Sequence, residues 1–376
     1  MKKALSICLA GVLLLSGCGK AKTNNGIQNS DYEYDTLSNV SASMTDALSK
    51  DYDHLIISDT VCSAFPEKIG SYKLVQADDY YDYIEDIISF FLGDKYSVDD
   101  AVTFGGNTED EYKNIENEST GLVLNIDRNG EVGYIENKRA MNYRMQNSDG
   151  EYELVFLDGE YADRDVIFKD KTVKLSEAVD FAQKYIDEYT AMTGGNKQTP
   201  ERAYIESYGK KQVVIFEFVQ NIDGIDTATF TTRCTTTTES DTPYAEEYGT
   251  LITLMASDEV GYFSDLDGER KLTETVKEYD KIITLGSALS ALDDNIAENS
   301  QYELKSVSIE ALQIMESNPR QDDEGFKWTI SGTNYGTILS AEPYWCFALY
   351  SKASHTYFDA AVNCVNGEFY WGREIT

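Results

Sequence analysis

Within residues 79–92 the apolar side chains recur at Tyr80, Ile84, Ile87, Ile88 and Phe91, the three-and-four spacing of a helix with one buried face. The same spacing returns at 176–192, where Leu175, Ala178, Val179, Ala182, Ile186 and Tyr189 form a stripe that Gly194-Gly195 terminates. It returns again at 286–297, through Leu285, Ala288, Leu289, Leu292 and Ile296. Behind each helix the pattern changes to short β-branched and aromatic runs. These fall at 101–104, 121–126, 131–135 and 152–157, then at 203–206, 212–220, 228–232 and 251–255. The last set lies at 302–314, 326–330, 344–350, 357–365 and 368–371. A helix followed by strands, three times over, predicts an α+β fold built of tandem units, each with one helix packed on a curved antiparallel sheet. The expected units are 51–170, 171–272 and 273–376.

The chain before residue 51 has a different character. Lys2 and Lys3 precede an apolar run over residues 4–15, too short to span a bilayer and right for the core of a signal peptide. It closes on Leu15, Ser16 and Gly17 before Cys18, which resembles the lipobox of bacterial lipoproteins. That resemblance implies cleavage after residue 17, a lipid (palmitate included) on Cys18, and placement on the extracytoplasmic face of the cell membrane. No later stretch of the sequence is apolar for long enough to form a membrane helix. Residues 18–50, rich in Asn, Ser, Thr, Lys and Asp, read as a lipidated flexible tether.

A second resemblance rests on the later units. The central one carries Val213-Val214-Ile215-Phe216-Glu217-Phe218, then Asn221-Ile222-Asp223-Gly224-Ile225, then Asp258-Glu259-Val260-Gly261-Tyr262-Phe263. The last carries Tyr302-Glu303-Leu304-Lys305-Ser306-Val307, Pro343-Tyr344-Trp345-Cys346-Phe347 and Phe358-Asp359-Ala360, closing on Asn366-Gly367-Glu368. This order resembles PepSY-type modules and the YycH/YycI-type regulatory proteins of Gram-positive bacteria. It covers residues 171–376 well and 51–170 loosely, and the Thr-rich stretch from Thr227 to Thr242 departs from it. The resemblance implies regulation through protein contact, with no catalytic residue to carry over.

Charge narrows the partners. The net charge of −34 becomes −36 once Lys2 and Lys3 leave with the signal peptide, a surface that repels nucleic acid and anionic headgroups. Removing residues 1–17 leaves 359 of 376, enough for more than one hydrophobic core.

Candidate chemistry is sparse. Asn125, Asp127, Asn129, Gly130 and Glu136 follow the spacing of an EF-hand loop. However, the flanks read as strands and Asn129-Gly130 is a tight-hairpin signal, so a hairpin is expected there. The acidic runs Asp78-Asp79, Asp99-Asp100, Glu109-Asp110-Glu111, Asp293-Asp294 and Asp322-Asp323-Glu324 suit solvated loops and helix N-termini, or else a carboxylate acid–base pair or a calcium site. His54 and His355 are the only histidines, one near the tether and one at an expected hairpin tip. Four cysteines, Cys62, Cys234, Cys346 and Cys364, remain for the folded body and show no zinc spacing. Strand parity directs Cys346 and Cys364 to opposite sheet faces, against a disulfide, although a bulge would reverse that. The 27 tyrosines, with Trp328, Trp345 and Trp371 all in the last unit, fit sheet cores or an aromatic binding platform.

The reading is a non-enzymatic, membrane-tethered protein acting in regulation or protein interaction, with an envelope protein such as a sensor kinase or protease as partner. No nucleic acid, catalytic residue, metal or cofactor is expected. The alternative is a carbohydrate- or solute-binding lipoprotein. A hydrolase would require two carboxylates facing each other across a cleft.

Overall fold

The computed structural model describes residues 32–76, 83–104, 112–126, 132–138, 152–222, 224–227, 244–245, 250–265, 270–315 and 338–375. Among them are four α-helices and a majority of strand, a mixed α+β fold. The chain opens with β1 (Tyr34–Thr36), α1 (Leu37–Leu48), β2 (Leu55–Cys62) and β3 (Gly70–Gln76). Next come α2 (Ile84–Leu92), β4 (Val102–Phe104), β5 (Tyr112–Asn117), β6 (Leu122–Ile126), β7 (Val132–Asn137) and β8 (Tyr152–Phe156). The short ribbon β9 (Asp165–Ile167) and β10 (Thr172–Lys174) leads into α3 (Leu175–Thr193).

The long hairpin β11 (Gln198–Tyr208) and β12 (Lys211–Ile222) follows, then β13 (Ile225–Thr227), β14 (Tyr244–Ala245), β15 (Thr250–Ala256) and β16 (Glu259–Asp265). The last third comprises β17 (Arg270–Glu278), β18 (Lys281–Ile283), α4 (Leu285–Asp294), β19 (Tyr302–Met315), β20 (Ile338–Ser351), β21 (Thr356–Asn363) and β22 (Phe369–Ile375).

Register separates these strands into two large sheets. One is antiparallel throughout, in the order β8-β11-β12-β15-β16-β7-β6-β5-β4. The other is centred on β19 and runs β22-β21-β20-β19, with β2 and β13 lying parallel along the far edge of β19. Within it β3 pairs with β20 at one end and carries β17 on its other side. Strand β12 belongs to both: it pairs with β11 and β15 along most of its length, and its last residues turn through Asn221↔Asp226 into β13.

Each sheet has its own core, and each core holds two helices. α2 and α3 cover the first sheet through Ile87, Phe91, Ala182, Ile186 and Tyr189, packed on Phe216, Phe218 and Phe263. α1 and α4 cover the second, where Val40, Leu289 and Leu292 meet Leu304, Phe347 and Leu349. Trp345 is buried in this core and donates its indole N–H to the Ile283 carbonyl at 2.9 Å.

This corrects three expectations. Helices do not sit singly on tandem units, and sequence order does not set the partition. β2 and β3, expected in the first unit, lie in the last sheet because β19 and β20 offer them free edges, whereas α2 and β4–β7 join the central strands. Nor does a flexible tether extend to residue 50. Leu37, Val40, Met44, Ala47 and Leu48 give α1 an apolar stripe, and it docks beside α4. Tyr32 and Tyr34 fix the chain just ahead of it, their hydroxyls donating at 3.0 Å to the carbonyls of Gly367 and Val365.

The three expected helices are present, with bounds shifted by a few residues. Residues 79–82 of the first lie outside the described set, as do the expected strands at 228–232 and 326–330.

Candidate functional site

Strand alternation sends every second residue of each sheet away from the helices. On the first sheet these are Arg202, Tyr204 and Glu217; on the second, Ser308, Glu310, Cys346 and Asp359. The two helix-distal faces meet. Leu154 and Tyr204 pack with Tyr357 across the junction, and the Arg202 Nη1 donates to Asp359 Oδ2 at 3.2 Å.

A bulge shapes the centre of this seam. Pairing between β11 and β12 shifts between Pro200 and Arg202, leaving Glu201 as the extra residue. Proline suits such a position because the ladder needs no N–H from it. Glu201 and Arg202, adjacent in sequence, therefore share one side, and Arg202 Nε donates to Glu201 Oε1 at 2.9 Å. The guanidinium also lies over the Phe156 ring, 5.9 Å from its centroid.

The seam is buried and acidic. Arg202 is 5% exposed, Glu217 6%, Glu310 3% and Asp359 4%. Around them stand Tyr204, hydrogen-bonded to Glu217, and Ser308, whose hydroxyl donates to Glu310. Asp226 of β13 accepts from Thr199 and Asn221 at 2.9 and 2.7 Å. Burial pushes the Glu201 carboxyl up to about 7, aided by Glu217, Asp359 and Asp226 and opposed by Arg202. Burial likewise drives Glu310 well above the carboxylate range, with Glu201 adding to the effect. Arg202 is held charged despite burial by Asp359 and Glu201. The Cys346 thiol, buried beside Glu310 and Asp359, is pushed far up and stays protonated. The chemistry available to such a group is binding one sheet to the other and holding protons.

A second feature is a cleft of about 400 Å³ between α2, α3 and strands β6, β7 and β16. Phe91, Phe181, Tyr185 and Tyr262 wall it, and Asn137 and Glu259 stand at its rim. Its size is that of a small-ligand site.

Cys18, Leu15, Ser16 and Gly17 lie outside the described residues, as do Cys234, Trp328 and residues 127–131 of the EF-hand lookalike. The flanks of that motif pair as antiparallel strands, with Asn125 opposite Tyr134, as a hairpin requires. The Asn125 amide is engaged with Asn114 at 2.8 Å. Asp100 forms a capping box with Ser97, and Asp293 accepts from the backbone N–H groups of Asp53 and His54. Those acidic residues serve local structure. The hydrogen-bond partner of the His54 ring is the Ser300 carbonyl, and that of the His355 ring is the Tyr350 hydroxyl. Cys346 and Cys364 are free thiols on opposite faces, as parity predicted, and Cys62 is free and exposed.

The seam residues were missed in the sequence. Glu201-Arg202 follows a strand-breaking proline, a bulge signal, but nothing local shows that Asp359, 157 positions on, would face it.

No protein-family model matches the chain, and no curated protein matches it significantly. Among solved structures, an uncharacterized protein from Eubacterium rectale ATCC 33656 is similar over 84% of this chain and 88% of its own, with a TM-score of 0.49 and 15% identity. The Bacillus megaterium YpeB C-terminal domain is similar over 80% of this chain and 97% of its own, with a TM-score of 0.35 and 14% identity. Both similarities are distant, and neither places the chain in a family.

Proposed function

We propose that the protein is a lipid-tethered envelope protein that works by contact with another protein, in regulation rather than catalysis. The observation that carries this reading is the way the chain enters its folded body. Tyr32 and Tyr34 are bonded to the β21–β22 turn, Thr284 N donates to the Glu33 carbonyl, and α1 packs on α4. If Cys18 bears the lipid, only residues 18–31 separate membrane from fold, a reach of at most about 50 Å. The second sheet would then stand nearest the bilayer and the first would project outward, within range of a membrane protein's ectodomain.

The seam favours the same reading. Glu201 and Asp359 are largely buried between the two sheets and bound to Arg202. The resemblance of residues 171–376 to PepSY-type regulatory modules belongs with this proposal.

The aromatic-walled cleft favours a second reading, a solute-binding lipoprotein. The test is purification of the full lipidated chain from native membranes in mild detergent. Contact predicts a stoichiometric envelope protein that, when tagged itself, brings this chain back. Recovery of the chain alone, together with a small molecule released on denaturation, would move the cleft to first place.

A further inference from the structure

We propose that the seam between the two sheets is a proton-gated joint, locked while Glu201 and Glu310 hold protons and loosened as those protons leave. Charge counting and geometry support it. Glu201 and Asp359 are bound to one guanidinium, and Glu217 and Glu310 are buried in the same layer, so full ionisation would leave a net charge of about −3 there.

The elements facing the group add little positive charge. β11 and β12 bring Arg202, Tyr204 and Glu217; β13 brings Asp226; β19, β20 and β21 bring Glu310, Cys346 and Asp359. Lys197 acts on Asp226 at the margin. Asp359 spends one oxygen on Arg202, and its Oδ1 has no hydrogen-bond partner among the described residues. Glu201 strengthens the hold of Glu310 on its proton, so the two titrate as a coupled pair.

The direction follows from linkage. Burial raises Glu201 from an ordinary 4.5 to about 7 and raises Glu310 well above its ordinary value, so the closed seam binds more protons than the opened chain. Closure is fully favoured below the ordinary value. It weakens as pH climbs through about 7 and weakens further as Glu310 ionises. For an extracytoplasmic protein the joint would read the acidity of its surroundings, which the membrane does not buffer.

Amide hydrogen exchange on the full chain tests this, at about pH 5.5 and about pH 8, with intrinsic rates divided out. The expected result is that protection in β11 and β21 falls at least about tenfold across that range while α3 and α4 hold theirs, since each released proton changes the equilibrium about tenfold per pH unit. In the E201Q/E310Q double variant, whose amides mimic the protonated acids, the fall should vanish. A flat wild-type response, or a fall that survives in the double variant, overturns the proposal. Should the double variant not fold, infrared spectroscopy of isotope-labelled Glu in the wild type decides. A protonated carboxyl band that persists near neutral pH and is lost above it upholds the joint, and absence of that band near neutral pH overturns it.

Discussion

Gly367 shows how much one residue carries. Its φ of +77° lies in the left-handed region, and a Cβ there would sit 2.1 Å from Cε2 of Tyr32. Gly367→Ala is therefore expected to cost on the order of 1–3 kcal/mol by strain alone, and to dislodge Tyr32 as well. Denaturant unfolding and the exchange of α1 amides check it; an unchanged midpoint would contradict the packing. Arg202 makes the opposite demand. Arg202→Met leaves its carboxylates without a partner and should destabilise by about 3–5 kcal/mol near neutral pH, with the loss shrinking as acid protonates them. Urea midpoints at about pH 5 and about pH 8 measure that difference. The thiols give a third expectation. Cys62 should react with an alkylating reagent in the native state, and Cys346 and Cys364 only after denaturation, which peptide mass spectrometry reads directly.

Elements differ in how plainly the sequence announces them. α3 and α4 were legible because their stripes are dense, and the end of α3 is marked by Gly194 in the left-handed conformation. The parity of Cys346 and Cys364 was legible because a pleated strand leaves no choice once its core residues are known. α1 was not, because the five residues of its stripe sit among Ser, Thr, Asn and Asp and it has no side-chain cap. Its stability comes from α4 and the second core. Val40→Asp, at a fully buried position, should thus unfold α1 and expose the β1–β18 pairing while leaving α3 protected. Hydrogen exchange resolved by segment would show it, and equal loss in α3 would mean that the two cores are not separable. Strand partnership was the least legible feature. β2 and β3 read locally as strands of any sheet, and their pairing with β19 and β20 depends on residues more than 240 positions away.

At the scale of the molecule, the fold joins two helix-covered sheets by their bare faces. The seam that results was invisible in the sequence because an ionic layer made from β11, β12, β19 and β21 has no local periodicity. The lipobox-like run at residues 15–18, by contrast, is wholly local. If Cys18 bears the proposed lipid, the body is held within about 50 Å of the bilayer, where it would meet a neighbouring membrane protein. The direct measurement is photo-crosslinking in intact cells, comparing the wild type with Cys18→Ser. The account predicts one dominant crosslinked envelope protein, recovered reciprocally from its own side and reduced at least about tenfold when the lipid site is removed. Crosslinking to no protein, or an unchanged pattern in Cys18→Ser, would contradict it.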